Sequence, residues 1–162
     1  PLEIGFSRAS GIKTFHLEQP KLKKLDVYAN LYESMARAVK FSIRTLKKHK
    51  KTSDYAYVHI KETDLPGHDN KPFEKKEMIE YLDKTLFSFL KKFAPANKIK
   101  VVVTADHSTP CKLKAHSADP VPVLLYDDSP PQAKRFGETE ARKGKLGKIL
   151  GKDLLKKVGF SK

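Results

Sequence analysis

The sequence predicts an α/β domain with a mainly parallel sheet flanked by helices. Two long segments place apolar residues at intervals of three or four, the spacing of one helix face. Three shorter runs are rich in β-branched and aromatic residues, as strands are. Because helices and strands alternate, we expect right-handed crossovers between parallel strands. No repeat or Pro/Gly-rich linker divides the chain, so one domain is predicted over residues 1–162.

The first two predicted elements are a helix over residues 26–49 and a strand over residues 54–60. The strand is mostly apolar on both faces, which is typical of a parallel strand that is buried on both sides. The helix should face the core with one apolar stripe, formed by Leu31, Met35, Ala38, Val39, Ile43 and Leu46.

The second helix is predicted to begin at Pro72, because a proline in the first turn lacks only an N–H that would have no partner there. Pro95 and Asn97 should end this helix, and strands are predicted over residues 99–105 and 121–126. The buried face of the helix should consist of Phe73, Ile79, Leu82, Leu86, Phe89, Leu90 and Phe93.

Composition and charge limit the class of protein and its partners. The chain has 33 Lys+Arg against 19 Asp+Glu, a formal net charge of +14. This balance favours anionic partners such as phosphate esters, although a lysine-rich solvated surface is the more ordinary explanation. One cysteine excludes a disulfide framework. No apolar run approaches the roughly 20 residues that cross a bilayer and no signal peptide is evident, so we expect a cytoplasmic protein with no membrane partner.

Candidate metal ligands follow the first predicted strand. Asp64 and His68 lie four positions apart in the loop after that strand, and Pro66 and Gly67 argue against a continuous helix between them. In parallel sheets, functional groups gather beyond the C-terminal ends of the strands. Asp and His are both ligands for Mn²⁺ or Zn²⁺, so a tight loop would bring a carboxylate and an imidazole to one metal.

A second group of candidate ligands follows the strand predicted over residues 99–105. Asp106 and His107 are adjacent, and His116 comes shortly after them. Adjacent ligands point in different directions and therefore suit a two-metal cluster, which can hold the attacking and leaving oxygens of a phosphoryl group. Each motif alone is more often only a turn or a helix cap. Their joint placement at two strand ends favours a metal site.

Three motifs together resemble one enzyme family. They are VHIKETDLPGH at residues 58–68, TADHSTP at residues 104–110 and HSADPVP at residues 116–122. In order and spacing they resemble the cofactor-independent phosphoglycerate mutases of the alkaline phosphatase superfamily, in particular the archaeal branch. The resemblance runs from about residue 54 to the end of the chain. It implies an alkaline-phosphatase-like core and a glycolytic isomerase that interconverts 2- and 3-phosphoglycerate.

The resemblance also implies roles for the candidate ligands. The family uses two divalent metals, commonly Mn²⁺ or Zn²⁺. Asp64, His68 and His116 match the ligands of one metal, and Asp106 with His107 match ligands of the other. The substrate would be a phosphorylated three-carbon acid, whose phosphoryl group is transferred by way of a serine.

Parts of the family pattern have no counterpart in the sequence. These are the opening strand with its metal-binding aspartate, the segment with the nucleophilic serine, and most of the inserted phosphotransferase domain. Ser108 does not align with that nucleophile. We therefore expect the C-terminal part of a longer enzyme, with one complete metal site and no activity by itself. A sheet that lacks its N-terminal strand would expose an edge for a missing segment or another chain.

A few residues near the motifs have weaker functional interpretations. Lys61 could attract phosphate as a mobile point charge and His59 could contact the substrate, while a solvated lysine and a packed histidine stay open as alternatives. Cys111 lies between the ligand segments and is either a zinc ligand or a small buried residue. We assign no role to His16 and His49.

Two other functions stay open. A basic nucleic-acid-binding module would account for the net charge, but the chain lacks zinc-knuckle, recognition-helix and RNA-binding-sheet signatures, so nucleic acid is not an expected partner. The chain could also be a non-catalytic remnant that a single bound metal stabilises. The ligand types favour neither Zn²⁺ nor Mn²⁺, because both ions accept nitrogen and oxygen donors.

Overall fold

The computed structural model describes residues 2–17, 26–130 and 135–160, and for Leu2 it describes the backbone alone. The chain forms two compact units, Pro1–Glu62 and Thr63–Lys162. The single domain predicted over residues 1–162 stays a prediction. Within the described ranges, no helix combines the length and the apolar character that a membrane crossing requires.

The first unit contains two helices, α1 (Leu2–Ala9) and α2 (Val27–His49). The helix predicted over residues 26–49 is therefore confirmed. Two members of its predicted apolar stripe, Met35 and Val39, are at most 2% exposed. The neighbouring Ser34 is also buried, and its hydroxyl donates a hydrogen bond of 2.7 Å to the buried carboxylate of Glu62. These contacts attach the end of the first unit to α2.

Asp26 caps the N-terminus of α2. Its Oδ1 accepts hydrogen bonds from the backbone N–H groups of Tyr28 at 2.8 Å and Ala29 at 3.3 Å, which the helix itself leaves without acceptors. We expect Asp26→Ala to lower the free energy of unfolding by about 1 kcal/mol in urea titrations. Asp26→Asn keeps the acceptor and should stay within about 0.5 kcal/mol of wild type. An equal loss in both variants would contradict the capping role.

The strand predicted over residues 54–60 is wrong. Residues 54–60 do not form a strand, and they pair with no strand in the described part of the chain. Tyr55, Tyr57 and Val58 are 48%, 67% and 37% exposed instead of buried. A strand requires a neighbouring strand as well as a suitable composition, because its backbone hydrogen bonds are made to that neighbour. The composition alone therefore does not produce a strand here.

The second unit begins with helices. The helix predicted to begin at Pro72 is confirmed, and it ends at Ala96, between the predicted terminators Pro95 and Asn97. One further helical turn precedes it, so that the helical segments follow one another as α3 (Leu65–His68), α4 (Pro72–Leu82), a π-helical turn (Asp83–Phe87) and α5 (Ser88–Ala96).

The interior face of α4 and the π-helical turn includes Met78, Leu82 and Leu86, which are at most 8% exposed, and α5 adds the buried Ala94. Leu82 and Leu86 confirm the predicted buried face. Phe73 and Ile79 contradict it, because they are 79% and 50% exposed. Successive residues are turned by about 100° around a helix, so Met78 occupies the interior position that the prediction gave to Ile79.

The sheet in the described ranges has two strands, β1 (Val101–Val103) and β2 (Leu124–Tyr126). Both lie within predicted strands. They are antiparallel, with Val102 opposite Leu125, so the predicted mainly parallel sheet is not confirmed. An apolar run predicts a strand but not the direction of its neighbour. Three short helical segments follow: α6 (Glu138–Ala141), a 3-10 turn (Gly151–Asp153) and α7 (Leu154–Lys157).

Candidate metal centre

Asp64 and His68 are brought together by α3. The Asp64 carbonyl accepts hydrogen bonds from the backbone N–H groups of Gly67 and His68, which closes a helical turn. Side chains four residues apart lie on the same side of such a turn, and Asp64 Oδ2 is 3.4 Å from His68 Nε2. The prediction that Pro66 and Gly67 prevent a helix here is wrong. Pro66 lies in the first turn, where its missing N–H removes no hydrogen bond.

His107 and His116 are brought together by the connection between β1 and β2. An antiparallel bridge joins Ser108 to Ser117, with the Ser117 N–H donating to the Ser108 carbonyl at 2.9 Å. The imidazole rings of His107 and His116 stack with their centroids 3.7 Å apart and their planes at 30°. The antiparallel return of the chain therefore places these two histidines side by side.

Four of the five predicted ligands converge in the second unit. His116 Nε2 lies 3.2 Å from His68 Nε2 and 4.0 Å from Asp64 Oδ1. One ligand atom each from Asp64, His107 and His116 lies within 4.8 Å of the others. Ligand atoms bound tetrahedrally at about 2.0–2.1 Å from a metal are about 3.3 Å apart. The separations among Asp64, His68 and His116 therefore fit a single divalent metal. Asp64, His107 and His116 also lie close enough together for one ion, and the division of the ligands between two metals stays a prediction.

The orientation of His68 is fixed by a backbone carbonyl. His68 Nδ1 lies 3.2 Å from the carbonyl oxygen of Lys114. Because a carbonyl can only accept, Nδ1 carries a proton, and Nε2 is the ring nitrogen that faces Asp64 and His116. Metal-binding histidines are commonly oriented in this way. Lys114 itself has a φ of 52°, in the left-handed region that non-glycine residues seldom adopt.

Thr109 connects the two ligand segments. Its hydroxyl donates a hydrogen bond of 2.6 Å to Asp64 Oδ1 and lies 3.1 Å from His107 Nδ1. Burial alone would raise the pKa of Asp64, but the Thr109 hydroxyl and the neighbouring histidines outweigh it, so the pKa lies below 3.8, the usual value for aspartate. Asp64 is therefore ionised at neutral pH, as a metal ligand must be. Thr109 is not among the predicted site residues, because threonine carries no metal-ligand signal.

Asp106 lies beside His107. Its Oδ2 is 3.6 Å from His107 Nε2, and its Oδ1 accepts a hydrogen bond of 3.1 Å from the His107 backbone N–H. The Asp106 side chain is 56% exposed, which leaves it accessible to an ion from solvent. The two residues thus form the adjacent pair that the sequence assigns to a second metal, and that assignment stays a prediction.

The predicted substrate-binding residues lie in the first unit. His59 Nδ1 is 3.1 Å from Glu3 Oε1, and Lys61 Nζ is 2.8 Å from Glu3 Oε2. The hydrogen bond from Lys61 is the main cause that holds the pKa of Glu3 below its usual value. Both basic side chains therefore lie next to a carboxylate, and their contact with a substrate stays a prediction.

Cys111 and His49 have ordinary packing contacts. Cys111 Sγ lies 3.7 Å from the Pro66 carbonyl oxygen, so the thiol packs against α3. The His49 ring contacts the Phe15 ring with centroids 4.7 Å apart. None of these contacts brings a further ligand to the cluster.

Comparisons with known proteins agree with a metal-binding role. Residues 11–162 match the family model described as the Metalloenzyme superfamily. The chain is 38% identical over 163 residues to the 2,3-bisphosphoglycerate-independent phosphoglycerate mutase of Pyrococcus horikoshii. That alignment covers 85% of the chain and 38% of the relative. The enzyme of the same name from Saccharolobus islandicus is 42% identical over 107 residues, which cover 64% of the chain and 25% of the relative.

A solved structure is also similar. It is the structure of the PH0037 protein from Pyrococcus horikoshii, with a TM-score of 0.74 and 35% sequence identity. The match covers 99% of the chain and 47% of that structure. The chain thus spans less than half the length of the proteins it is compared with here.

Proposed function

The chain belongs to the metalloenzyme superfamily, and from this premise we propose that it forms the metal-binding part of a cytoplasmic phosphoglycerate mutase that interconverts 2- and 3-phosphoglycerate in glycolysis. The observation that carries the proposal is the convergence of Asp64, His68 and His116, whose ligand atoms are 3.2–4.0 Å apart. Relatives that bear the name of this enzyme support the choice of substrate.

Five residues of the chain would hold two divalent ions, Mn²⁺ or Zn²⁺. Asp64, His68 and His116 would bind one ion, and Asp106 with His107 would contribute to the other. Bound ions of this kind supply positive charge that holds a phosphoryl group in place and neutralises its oxygens. All five side chains are at least 32% exposed, so a phosphate ester could reach them from solvent.

Basic side chains would assist substrate binding. We propose that Lys61 attracts the phosphate or carboxylate of the substrate, since an ammonium on a flexible stem remains mobile. Its Nζ now contacts Glu3 at 2.8 Å, so a bound substrate would share the ammonium with that carboxylate or displace it. His59, which contacts the same carboxylate, would be a second contact for the substrate.

A further segment would supply the nucleophile. The chain spans 38% of the length of the mutases it matches, and we propose that the nucleophilic serine and the remaining ligands of the second metal belong to another part of the enzyme. Ser108 is not proposed for this role, because its position after Asp106 and His107 does not align with the nucleophile of the family.

The substrate assignment is tested by calorimetry with the chain. Titrating 3-phosphoglycerate into the Mn²⁺-loaded chain is expected to give binding that disappears after treatment with a chelator. Glycerate, which has the carboxylate but no phosphoryl group, and inorganic phosphate, which has no carboxylate, are the control ligands. Both should bind more weakly than 3-phosphoglycerate. Binding that is unaffected by the chelator, or that is equal for inorganic phosphate, would contradict the assignment.

The proposed division of the enzyme predicts the behaviour of the chain alone. A phosphorus NMR time course distinguishes 2- from 3-phosphoglycerate directly. We expect no interconversion by the metal-loaded chain. Interconversion would show that the nucleophile lies within these 162 residues, and the proposed missing segment would then be abandoned.

A further inference from the structure

Thr109 has contacts with both segments that carry ligands. The residue is 5% exposed. Its hydroxyl touches Asp64 at 2.6 Å and His107 at 3.1 Å, and these two residues match ligands of different metals. Its backbone carbonyl accepts a hydrogen bond of 2.8 Å from Lys75 Nζ on α4. Thr109 is therefore held from both its side chain and its backbone.

The single hydroxyl proton determines how these hydrogen bonds are arranged. An ionised carboxylate can only accept, so the Thr109 proton is committed to Asp64. The Thr109 oxygen must then accept from His107, which places the proton of the neutral imidazole on Nδ1. Nε2 is then the nitrogen without the proton in the neutral ring, and this atom lies 3.6 Å from Asp106 Oδ2.

The same hydroxyl also acts on Asp64. By holding Oδ1, it leaves Oδ2 directed at His68 Nε2, 3.4 Å away. The Thr109 hydroxyl therefore orients the Asp64 carboxylate towards His68 and the His107 imidazole towards Asp106. Hydrogen bonds that orient ligands in this way typically contribute 10- to 100-fold, as an order of magnitude, to metal affinity.

We propose that Thr109 is a positioning residue that fixes the Asp64 carboxylate and the His107 tautomer, and that it thereby couples the two metal positions. The role in coupling rests on the proposed function, whereas the tautomer of His107 does not. Thr109 itself does not bind the metal. Its effect passes through the two ligands that it contacts.

Two substitutions separate the hydroxyl from the shape of the side chain. Thr109→Val keeps the shape and removes the hydroxyl, while Thr109→Ser keeps the hydroxyl. The matched control is Thr104→Val in the same connection, since Thr104 is exposed and its Oγ1 lies 3.4 Å from the Ala105 carbonyl oxygen. Circular dichroism and thermal unfolding would confirm that all three variants fold.

The first measurement is the tautomer of His107 in the metal-free chain, from two-bond proton–nitrogen NMR correlations at neutral pH. Wild type, Thr109→Ser and Thr104→Val should show the proton on Nδ1. Thr109→Val should show a mixture of tautomers. A proton that remains on Nδ1 in Thr109→Val would overturn the proposal.

The second measurement is Mn²⁺ and Zn²⁺ affinity by calorimetry. We expect Thr109→Val to bind about 10- to 100-fold more weakly than wild type, with Thr109→Ser within about threefold. Unchanged affinity in Thr109→Val would refute the coupling role. If wild type binds no metal while the His107 tautomer depends on the hydroxyl, the proposed function fails and the positioning of His107 stands.

Discussion

Replacing His116 with alanine is expected to abolish tight binding of Mn²⁺ or Zn²⁺ to the chain. His116 Nε2 lies 3.2 Å from His68 Nε2 and 4.0 Å from Asp64 Oδ1, so its loss leaves only two donors of this group. Altering a residue that merely orients a ligand weakens affinity by 10- to 100-fold, and removal of the ligand itself should exceed about 100-fold. Mass spectrometry of metal content after dialysis, together with calorimetry, measures the loss.

His16→Ala is the matched control for His116→Ala. It removes an imidazole to which neither the sequence nor the structure assigns a ligand role, and it should retain about one metal per chain. Circular dichroism must show that both variants are folded. Equal metal content in wild type and His116→Ala would contradict the three-ligand site, because the cluster would then bind metal without one of its members.

Replacing Gly67 with alanine is expected to destabilise the second unit and to weaken metal binding. A Cβ at this position would lie 2.5 Å from the Thr109 carbonyl oxygen and 2.9 Å from Thr109 Cγ2. Thr109 would have to move, and its hydrogen bonds to Asp64 and His107 would lengthen. Overpacking of this kind costs about 1–3 kcal/mol. Urea unfolding in the presence of a chelator measures the stability, and calorimetry measures the metal affinity.

Gly5→Ala controls for the general effect of adding a methyl group to a helical glycine. Apart from the adjacent residues and the nearby backbone of α1, no heavy atom of the described residues lies within 4 Å of a Cβ at Gly5, so this variant should be neutral or more stable by about 0.5–1 kcal/mol. If Gly67→Ala is as stable as Gly5→Ala and binds metal like wild type, the close approach of Gly67 to Thr109 contributes neither to stability nor to metal affinity.

The candidate ligands that converge in the second unit could be identified in the sequence because ligand chemistry is local. Asp106 and His107 follow an apolar run that does form β1, and the motif containing Asp64 and His68 consists of ligand types at close spacing. Metal ligands must be particular residue types, so a short stretch of sequence carries the signal. The helices at residues 27–49 and 72–96 were predictable for a similar reason, since helical hydrogen bonds are made within the segment.

The contacts between segments could not be predicted. The direction of β2 relative to β1 depends on the path of the intervening chain, and the apolar composition of the strands does not encode it. Whether residues 54–60 form a strand depends on the presence of a neighbouring strand to pair with. The Thr109 hydroxyl and the Lys114 carbonyl are polar groups of kinds that nearly every sequence contains. Only the folded arrangement places the hydroxyl beside Asp64 and the carbonyl beside His68.

The left-handed backbone at Lys114 carries a conformational cost beside a candidate ligand. The left-handed conformation is less favourable by about 1 kcal/mol or more for a residue that has a Cβ, and Lys114 has a φ of 52°. That conformation accompanies a carbonyl that accepts the Nδ1 proton of His68 at 3.2 Å. Selection for thermal stability alone would favour glycine at this position. A glycine at position 114 would remove this cost, so the lysine holds a less favourable backbone conformation next to the carbonyl that orients the candidate ligand His68.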